Sequence, residues 1–153
     1  MKIRNYYWLT IGLILLDQLS KIFVANSIEF GAIIVVNDFF SWHHLRNYGA
    51  AFSFLAEQDG WQRYFFATIS LLVSGWLLIW MHKTKPSEKY KLLALSLILA
   101  GAIGNLIDRI AYGFVIDFID LHYQNFYWPV FNGADIFISI GIFLLIIVDW
   151  KKI

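Results

Sequence analysis

The stretch KLLALSLILAGAIGNLIDRI, residues 91–110, decides the class of fold. Between Lys91 and Asn105 it is apolar or small apart from one serine, and its end carries Asn105, Asp108 and Arg109. About twenty residues of helix extend roughly 30 Å, which is the thickness of the hydrocarbon core of a bilayer. The stretch therefore predicts a membrane-spanning helix with polar groups at one end.

Three further stretches have the same length and apolar character, namely residues 6–25, 62–81 and 133–150. The chain has 153 residues, of which 59% are hydrophobic and 15% are charged. Soluble domains have about 25% charged and about 45–50% apolar residues, so the composition excludes a soluble domain. We predict a single integral membrane domain over residues 1–153, an all-α polytopic protein with four transmembrane helices.

Basic residues predict the orientation of the four spans. Eight of the twelve Lys and Arg residues flank the helix ends that an even number of spans places on one side. Loops rich in Lys and Arg face the cytoplasm, so we expect both termini and residues 83–91 to be cytoplasmic. The loops 26–61 and 111–132 then lie outside. The eight basic residues are Lys2, Arg4, Lys83, Lys85, Lys89, Lys91, Lys151 and Lys152.

The two outer loops are rich in β-branched and aromatic residues, which are typical of strands. A turn at Asn37 and Asp38 separates the first two candidate strands. We predict a small extracytoplasmic β structure on the outer membrane face, with aromatic side chains at the level of the lipid headgroups. Membrane lipids are therefore expected partners. The candidate strands are residues 33–36, 39–42 and 115–121.

Charged and amide side chains converge at one depth, in the outer half of the membrane. A charged residue at the bilayer centre costs about 2.5–3.5 kcal/mol on insertion scales, so intramembrane charges are candidates for function. Three helices and the loop above them contribute to this cluster. Its members are Asp17, Lys21, Asn105, Asp108, Arg109, Asp135, Asp117 and Asp120.

Several members also have a purely structural explanation. Asp17 and Lys21 are four residues apart on one helix face and can neutralise each other. Their charges also argue against a cleaved export signal at residues 6–25, because the apolar core of a signal carries none. Asp135 would by itself be the N-cap of the fourth helix. Asp117 and Asp120 face opposite ways in a strand, and their spacing does not choose between them.

Carboxylates are the abundant catalytic groups that remain once thiol and serine–lysine chemistry are excluded. The chain has no cysteine, and Ser20 and Lys21 point about 100° apart on a helix, which makes a poor catalytic dyad. Two neighbouring carboxylates that share one proton can activate water, as in aspartic peptide hydrolysis. No metal or other cofactor is expected. The histidines are expected to be surface or interface residues, and they are His43, His44, His82 and His122.

Five segments, in order along the chain, resemble the motifs of the bacterial lipoprotein signal peptidases, also called signal peptidase II. Ala100 is one departure, since a second glycine is common at that position in the family. The ordered combination covers nearly the whole chain and is highly specific. The segments are DQLSK at 17–21, NYGAAF at 47–52, GAIGNLIDR at 101–109, VIDFID at 115–120 and PVFNGAD at 129–135.

The resemblance implies an aspartic endopeptidase, a hydrolase of the bacterial cytoplasmic (inner) membrane. Such an enzyme removes the signal peptide from diacylglyceryl-modified prolipoproteins and cuts before the lipidated cysteine. It implies four transmembrane helices, an outer β-cradle and a short outer helix. We expect a monomer, with lipid-modified prolipoprotein and membrane lipids as partners and no nucleic acid.

The resemblance also assigns site residues by their position in the motifs. It implies that Asp117 and Asp135 are the catalytic pair, and it thereby chooses Asp117 over Asp120. The remaining motif residues would bind substrate or support the pair. They are Asp17, Lys21, Asn47, Gly49, Asn105, Asp108, Arg109 and Asn132.

Two other classes of protein also place charges inside a helical bundle. A small transporter or proton channel would need polar residues through the whole membrane depth, whereas the inner half here is almost purely apolar. A structural assembly protein would have no need of converging charges. Cleavage of lipidated and unlipidated precursors would separate these alternatives from a peptidase.

Overall fold

Four long helices form the body of the protein. The computed structural model describes residues 2–49 and 60–150. Each helix is long and apolar enough to cross a membrane, and each contains one of the four apolar stretches predicted as spans. The helices are α1 (Ile3–Ser27), α2 (Trp61–Lys83), α3 (Lys89–Ala111) and α4 (Gly133–Trp150).

The central helix is α3, and α1, α2 and α4 all pack against it. In its most apolar window 67% of the residues are buried, compared with 11–22% in the other three helices. Gly101 and Gly141 permit this packing, because a Cβ at either position would collide with the neighbouring helix. The outward faces of the other helices remain apolar and exposed, as a lipid environment requires.

A four-stranded antiparallel sheet lies at one end of the bundle, in the strand order β1-β2-β3-β4. Residue pairs such as Asn47 with Val115 and Phe40 with Leu121 fix the register of β2 against β3, with one irregularity between Trp42 and Leu45. Ile116 and Phe118 of the sheet pack on Val24 and Ile28. The strands are β1 (Ile33–Asn37), β2 (Phe40–Asn47), β3 (Val115–Tyr123) and β4 (Phe126–Tyr127).

The predicted helices and the small sheet are therefore confirmed. The described residues contain four helices and no short outer helix. Residues 50–59, between β2 and α2, lie outside the described part of the chain, and with them the last three residues of the motif at 47–52. The basic residues Lys151 and Lys152 also lie outside it.

Candidate active site

Lys21 of α1 is the centre of a buried ionic cluster. Its side chain is 1% exposed, and its Nζ lies 2.9 Å from Oδ2 of Asp17 and 3.0 Å from Oδ2 of Asp108. Nζ also donates to Oδ1 of Asn105 at 2.9 Å, which uses the third of its three donors. Gln18 adds a second donor group, whose Nε2 lies 3.1 Å from Asp17 and 2.9 Å from Asp108.

The same two carboxylates hold the elements that follow α3. Oδ1 of Asp17 accepts from the backbone N–H of Ala134 at 2.9 Å, and Oδ2 of Asp108 accepts from that of Ile116 at 3.2 Å. Gly104 lies directly against Asp17, where a Cβ would collide with the carboxylate. The cluster thus ties the first turn of α4 and the first residues of β3 to the bundle.

Asn132 and Asp135 begin α4 with a reciprocal pair of hydrogen bonds. Oδ1 of Asn132 accepts from the backbone N–H of Asp135 at 3.1 Å, and Oδ2 of Asp135 accepts from the backbone N–H of Asn132 at 3.2 Å. This is a capping box, in which the N-cap and the third helical residue satisfy each other. The alternative explanation of Asp135 as the N-cap is therefore wrong, because Asn132 holds that position. The other oxygen of Asp135 accepts from Nδ2 of Asn105 at 2.9 Å.

Asp117 of β3 is held by two amides. Nδ2 of Asn132 donates to its Oδ1 at 2.6 Å, and Nδ2 of Asn47 donates to its Oδ2 at 3.0 Å. The Asn47 amide is itself fixed by a hydrogen bond of 3.0 Å from the backbone N–H of Gly49. Asn132 therefore bridges the two carboxylates, because its side-chain amide donates to Asp117 and its backbone N–H donates to Asp135.

The pKa of Asp117 is raised to about 7. Burial is the largest cause, and the charge of Asp135 is the second. The hydrogen bonds from Asn47 and Asn132 and the charge of Lys21 act in the opposite direction. The side chain is 3% exposed, so loss of hydration outweighs these contacts. A carboxyl group with a pKa near neutral pH exchanges a proton readily under physiological conditions.

Arg109 lies beside the pair without forming an ion pair. Its Nη2 donates to the carbonyl of Gly49 at 3.0 Å, its Nη1 donates to that of Asn105 at 3.3 Å, and its guanidinium lies 5.7 Å from the Phe66 ring centre. In residues 2–49 and 60–150 no carboxylate lies within 4.0 Å of it. Its charge acts on Asp117 and Asp135 through space.

Arg63 is a site neighbour that the sequence analysis missed. Its Nε donates to the carbonyl of Arg109 at 3.0 Å and its Nη2 to that of Ile110 at 2.7 Å. These carbonyls belong to the last turn of α3, where the helix itself supplies few N–H partners, and that of Arg109 also accepts from the backbone N–H of Gly113 at 3.1 Å. Gly113, at φ 86°, lies against the Arg63 side chain. One signal was visible, since Arg63 is a charge inside the predicted span 62–81.

Asp120 occupies a different environment from Asp117. It is 6% exposed and lies 3.8 Å from Nδ1 of His43 and 3.9 Å from Nδ1 of His122. His44 is also buried, with Nδ1 2.8 Å from the carbonyl of Ile28. His44 is thus buried where the sheet meets the end of α1, whereas His43 and His122 both lie near Asp120. Among the described residues, no group of three or more His, Cys, Asp or Glu side chains could hold a metal ion.

An open cavity of about 650 Å³ lies between α2, α3 and α4 beneath residues 128–131. Asp117 and Asp135 line it, with Asn47, Asn105 and Arg109. Asp120 and its histidines do not. Most of the remaining wall is apolar, and it consists of Phe66, Ile69, Val73, Ala102, Val115, Trp128, Pro129, Val130, Phe131, Ile136, Ile138 and Ile140, with Ser70 and Ser139.

The ten residues implied as a site thus meet in one network around this groove. Asp17, Lys21 and Asp108 lie behind it, and the others lie at or beside its wall. A membrane-embedded helical bundle that presents two linked carboxylates to an apolar groove has the architecture of an integral membrane hydrolase of the aspartic type.

Comparisons with known proteins identify the family. The family model described as signal peptidase (SPase) II matches residues 9–151, so the chain belongs to the signal peptidase II family and is an aspartic-type peptidase. It is 46% identical over 150 residues to the lipoprotein signal peptidase of Pseudomonas fluorescens (strain Pf0-1), which covers 97% of this chain and 88% of the relative. The resemblance found in the motifs is therefore confirmed.

Other relatives agree along the whole chain. The lipoprotein signal peptidase of Pasteurella multocida (strain Pm70) is 43% identical over 148 residues, which is 97% of this chain and 90% of that protein. A solved structure described as a bacterial membrane enzyme superposes with a TM-score of 0.85 at 32% identity, covering 97% of this chain and 88% of its own. The chain is a multi-pass bacterial membrane protein.

Proposed function

We propose that Asp117 and Asp135 are the catalytic dyad of a peptidase that removes signal peptides from diacylglyceryl-modified prolipoproteins. The bond cut is the peptide bond before the lipidated cysteine. One observation carries this proposal: both carboxylates line the same groove and are joined through Asn132. Membership of the signal peptidase II family supports the substrate class.

The proposed division of labour follows from the protonation of Asp117. Its raised pKa keeps the carboxyl group protonated below about pH 7, so it donates a proton to the carbonyl oxygen of the bond that is cut. Asp135 accepts N–H donors on both oxygens and takes a proton from the attacking water. Electrostatic coupling between two acids makes such a shared proton favourable.

The groove is the proposed path of the substrate. Its apolar wall of α2 and α4 side chains suits the apolar segment of a signal peptide and the acyl chains of its lipid. Asn47, Asn105 and Arg109 supply polar contacts near the bond that is cut. Every residue of this site belongs to one chain, so we propose that a monomer is sufficient for catalysis.

We further propose that the sheet and the groove mouth face the outside of the inner membrane. Both termini and residues 83–91 are then cytoplasmic. The charge distribution supports this orientation, because eight of the twelve basic residues lie on the proposed inner side.

The test is hydrolysis of a diacylglyceryl-modified precursor by purified variants. Asp117→Asn, Asp135→Asn and the double variant should be similarly inactive, because members of a catalytic unit are strongly non-additive. Asp120→Asn is the matched control, since Asp120 is a buried acid on the same strand that does not line the groove. Substantial turnover by Asp117→Asn with an inactive Asp120→Asn would transfer the role to Asp120.

Folding must be checked separately for these variants. An asparagine at position 117 turns an NH₂ group toward one of the amides that now donate to Asp117. Thermal unfolding in detergent therefore accompanies each assay. Asp135→Asn keeps one oxygen for the backbone N–H of Asn132, so it tests catalysis with the capping contact preserved.

A further inference from the structure

Arg46 lies on the opposite side of the sheet from the groove. It pairs in register with Ile116, and directly paired residues share a face of an antiparallel sheet. Ile116 packs against Val24 and Ile28 near the end of α1. The next residue, Asn47, points to the other face and contacts Asp117. Arg46 is therefore no part of the proposed catalytic network.

Two aromatic rings hold the Arg46 guanidinium. Its Cζ lies 4.3 Å from the ring centre of Phe30 and 4.9 Å from that of Phe114. Tyr48 and Tyr112 extend the aromatic surface, with ring centres 5.5 Å and 5.9 Å from that of Phe114. Aromatic faces bind a guanidinium through its plane and leave the N–H groups at its edge available.

No partner for those N–H groups is found among residues 2–49 and 60–150. Arg46 is exposed, and no described carboxylate lies within 4.0 Å of its nitrogens. The aromatic contacts fix the position of the charge without neutralising it. A charge arranged in this way is complementary to an anion.

The depth of this arrangement indicates which anion. Phe30 follows the last residue of α1 by three positions, and Phe114 follows the last residue of α3 by three positions. Three residues reach at most about 10 Å, so both rings lie within that distance of the ends of two membrane spans. Phospholipid headgroups occupy this level, and tyrosines such as Tyr48 and Tyr112 are enriched there.

We propose that Arg46, held between Phe30 and Phe114, binds the phosphate of an anionic phospholipid. A guanidinium matches a phosphate with two parallel hydrogen bonds. The surrounding rings contact the upper acyl chains and glycerol of the same lipid. These apolar neighbours favour a lipid headgroup over a free phosphate ion.

Native mass spectrometry of the full chain tests this proposal. The protein is released from vesicles that contain phosphatidylcholine and phosphatidylglycerol, and the retained phosphatidylglycerol is counted. Arg46→Gln should weaken retention about fivefold, the factor equivalent to about 1 kcal/mol per basic residue at an anionic surface. Arg4→Gln makes the same charge change at an exposed residue of α1; no described aromatic ring holds Arg4, so retention should fall by less than this factor.

The alternatives give different results. Equal retention by Arg46→Gln and Arg4→Gln would overturn the proposal, and so would displacement of the lipid by inorganic phosphate. Phe30→Leu is a second variant, which keeps the charge and removes one ring, and it too should retain less lipid. Arg46→Gln and Phe30→Leu should both cleave precursor in neutral detergent at the rate of the unmodified chain, so this test is independent of the catalytic assignment.

Discussion

The ammonium of Lys21 donates to Oδ1 of Asn105 at 2.9 Å, and with a longer contact of 3.3 Å from Nδ2 of Asn132 to the same oxygen it sets which way the Asn105 amide faces. Because Oδ1 is held by the lysine, Nδ2 is turned toward Asp135, to which it donates at 2.9 Å. Lys21 thus orients the Asn105 amide, which donates to the proposed catalytic acid Asp135, although Lys21 itself forms no hydrogen bond with Asp135.

Replacement of Lys21 by methionine should reduce both stability and activity. Asp17 and Asp108 would remain buried without their cation, and breaking a buried ion pair costs about 3–5 kcal/mol. We expect the thermal midpoint in detergent to fall and the turnover of the folded fraction to fall as well, since Asn105 loses the shorter of the two hydrogen bonds that orient its amide. Lys2→Met, at an exposed lysine, is the control. A normal midpoint and normal turnover for Lys21→Met would contradict this role.

The pH dependence of cleavage should report Asp117. Its pKa is raised to about 7, so the carboxyl group is protonated below that pH and loses its proton as the pH rises through it. Activity that needs this proton should therefore decline on the alkaline side, with kcat/KM at half its maximum near pH 7 in the free enzyme. Rates across roughly pH 5–9 would show this limb. A rate that stays flat through neutral pH would contradict the proposed proton donor.

Substitution of Arg109 by lysine should lower kcat/KM about tenfold with the protein still folded. A lysine has one nitrogen where Arg109 uses two to reach the carbonyls of Gly49 and Asn105. A lost hydrogen bond to a charged group costs about 1.5 kcal/mol or more. Arg46→Lys is the matched control, because it makes the same change outside the groove. Equal activity of the two variants would remove Arg109 from the site.

Arg63→Gln should affect substrate binding more than chemistry. Arg63 joins the beginning of α2 to the last turn of α3, and α2 forms one wall of the groove. We expect a higher KM for precursor with kcat largely retained, and partial rescue by Arg63→Lys, which can still satisfy one carbonyl. Steady-state kinetics measure both quantities. A fall in kcat alone would indicate a role in the chemical step instead.

Orientation can be measured with single cysteines, because the chain has none of its own. A cysteine at Ser87 should react with a membrane-impermeant thiol reagent only from the inside, and one at Gln124 only from the outside. The two positions lie in the loops on opposite ends of the bundle. The reverse labelling pattern would invert the proposed topology.

The spans could be predicted from sequence because membrane thickness imposes a length on every crossing helix. The strands could be predicted from their β-branched and aromatic composition. The turn is displaced by one residue, since Asn37 still belongs to β1 and Phe40 begins β2. Such boundaries depend on pairing with another strand, and β3 lies some seventy positions along the chain from β2.

The convergence of charges at one depth could be predicted, but the individual contacts could not. The spacing of Asn132 and Asp135 fits a capping box, yet only the three-dimensional position of Asn105 shows which oxygen of Asp135 remains free of the cap. Arg63 was missed because its partners are backbone carbonyls, which leave no trace in the residue types. The burial of His44 could not be predicted, because it depends on how the sheet lies on α1.

The division of the acidic pair between β3 and α4 has a consequence for the timing of activity. Asp117 precedes the final membrane span, whereas Asn132 and Asp135 form its first turn. A newly made chain that has inserted only three helices carries one acid and lacks both its partner and the bridging amide. In the proposed assignment, proteolytic competence therefore arises only when the last helix docks on α3, and a chain with three inserted helices cannot cleave its substrate.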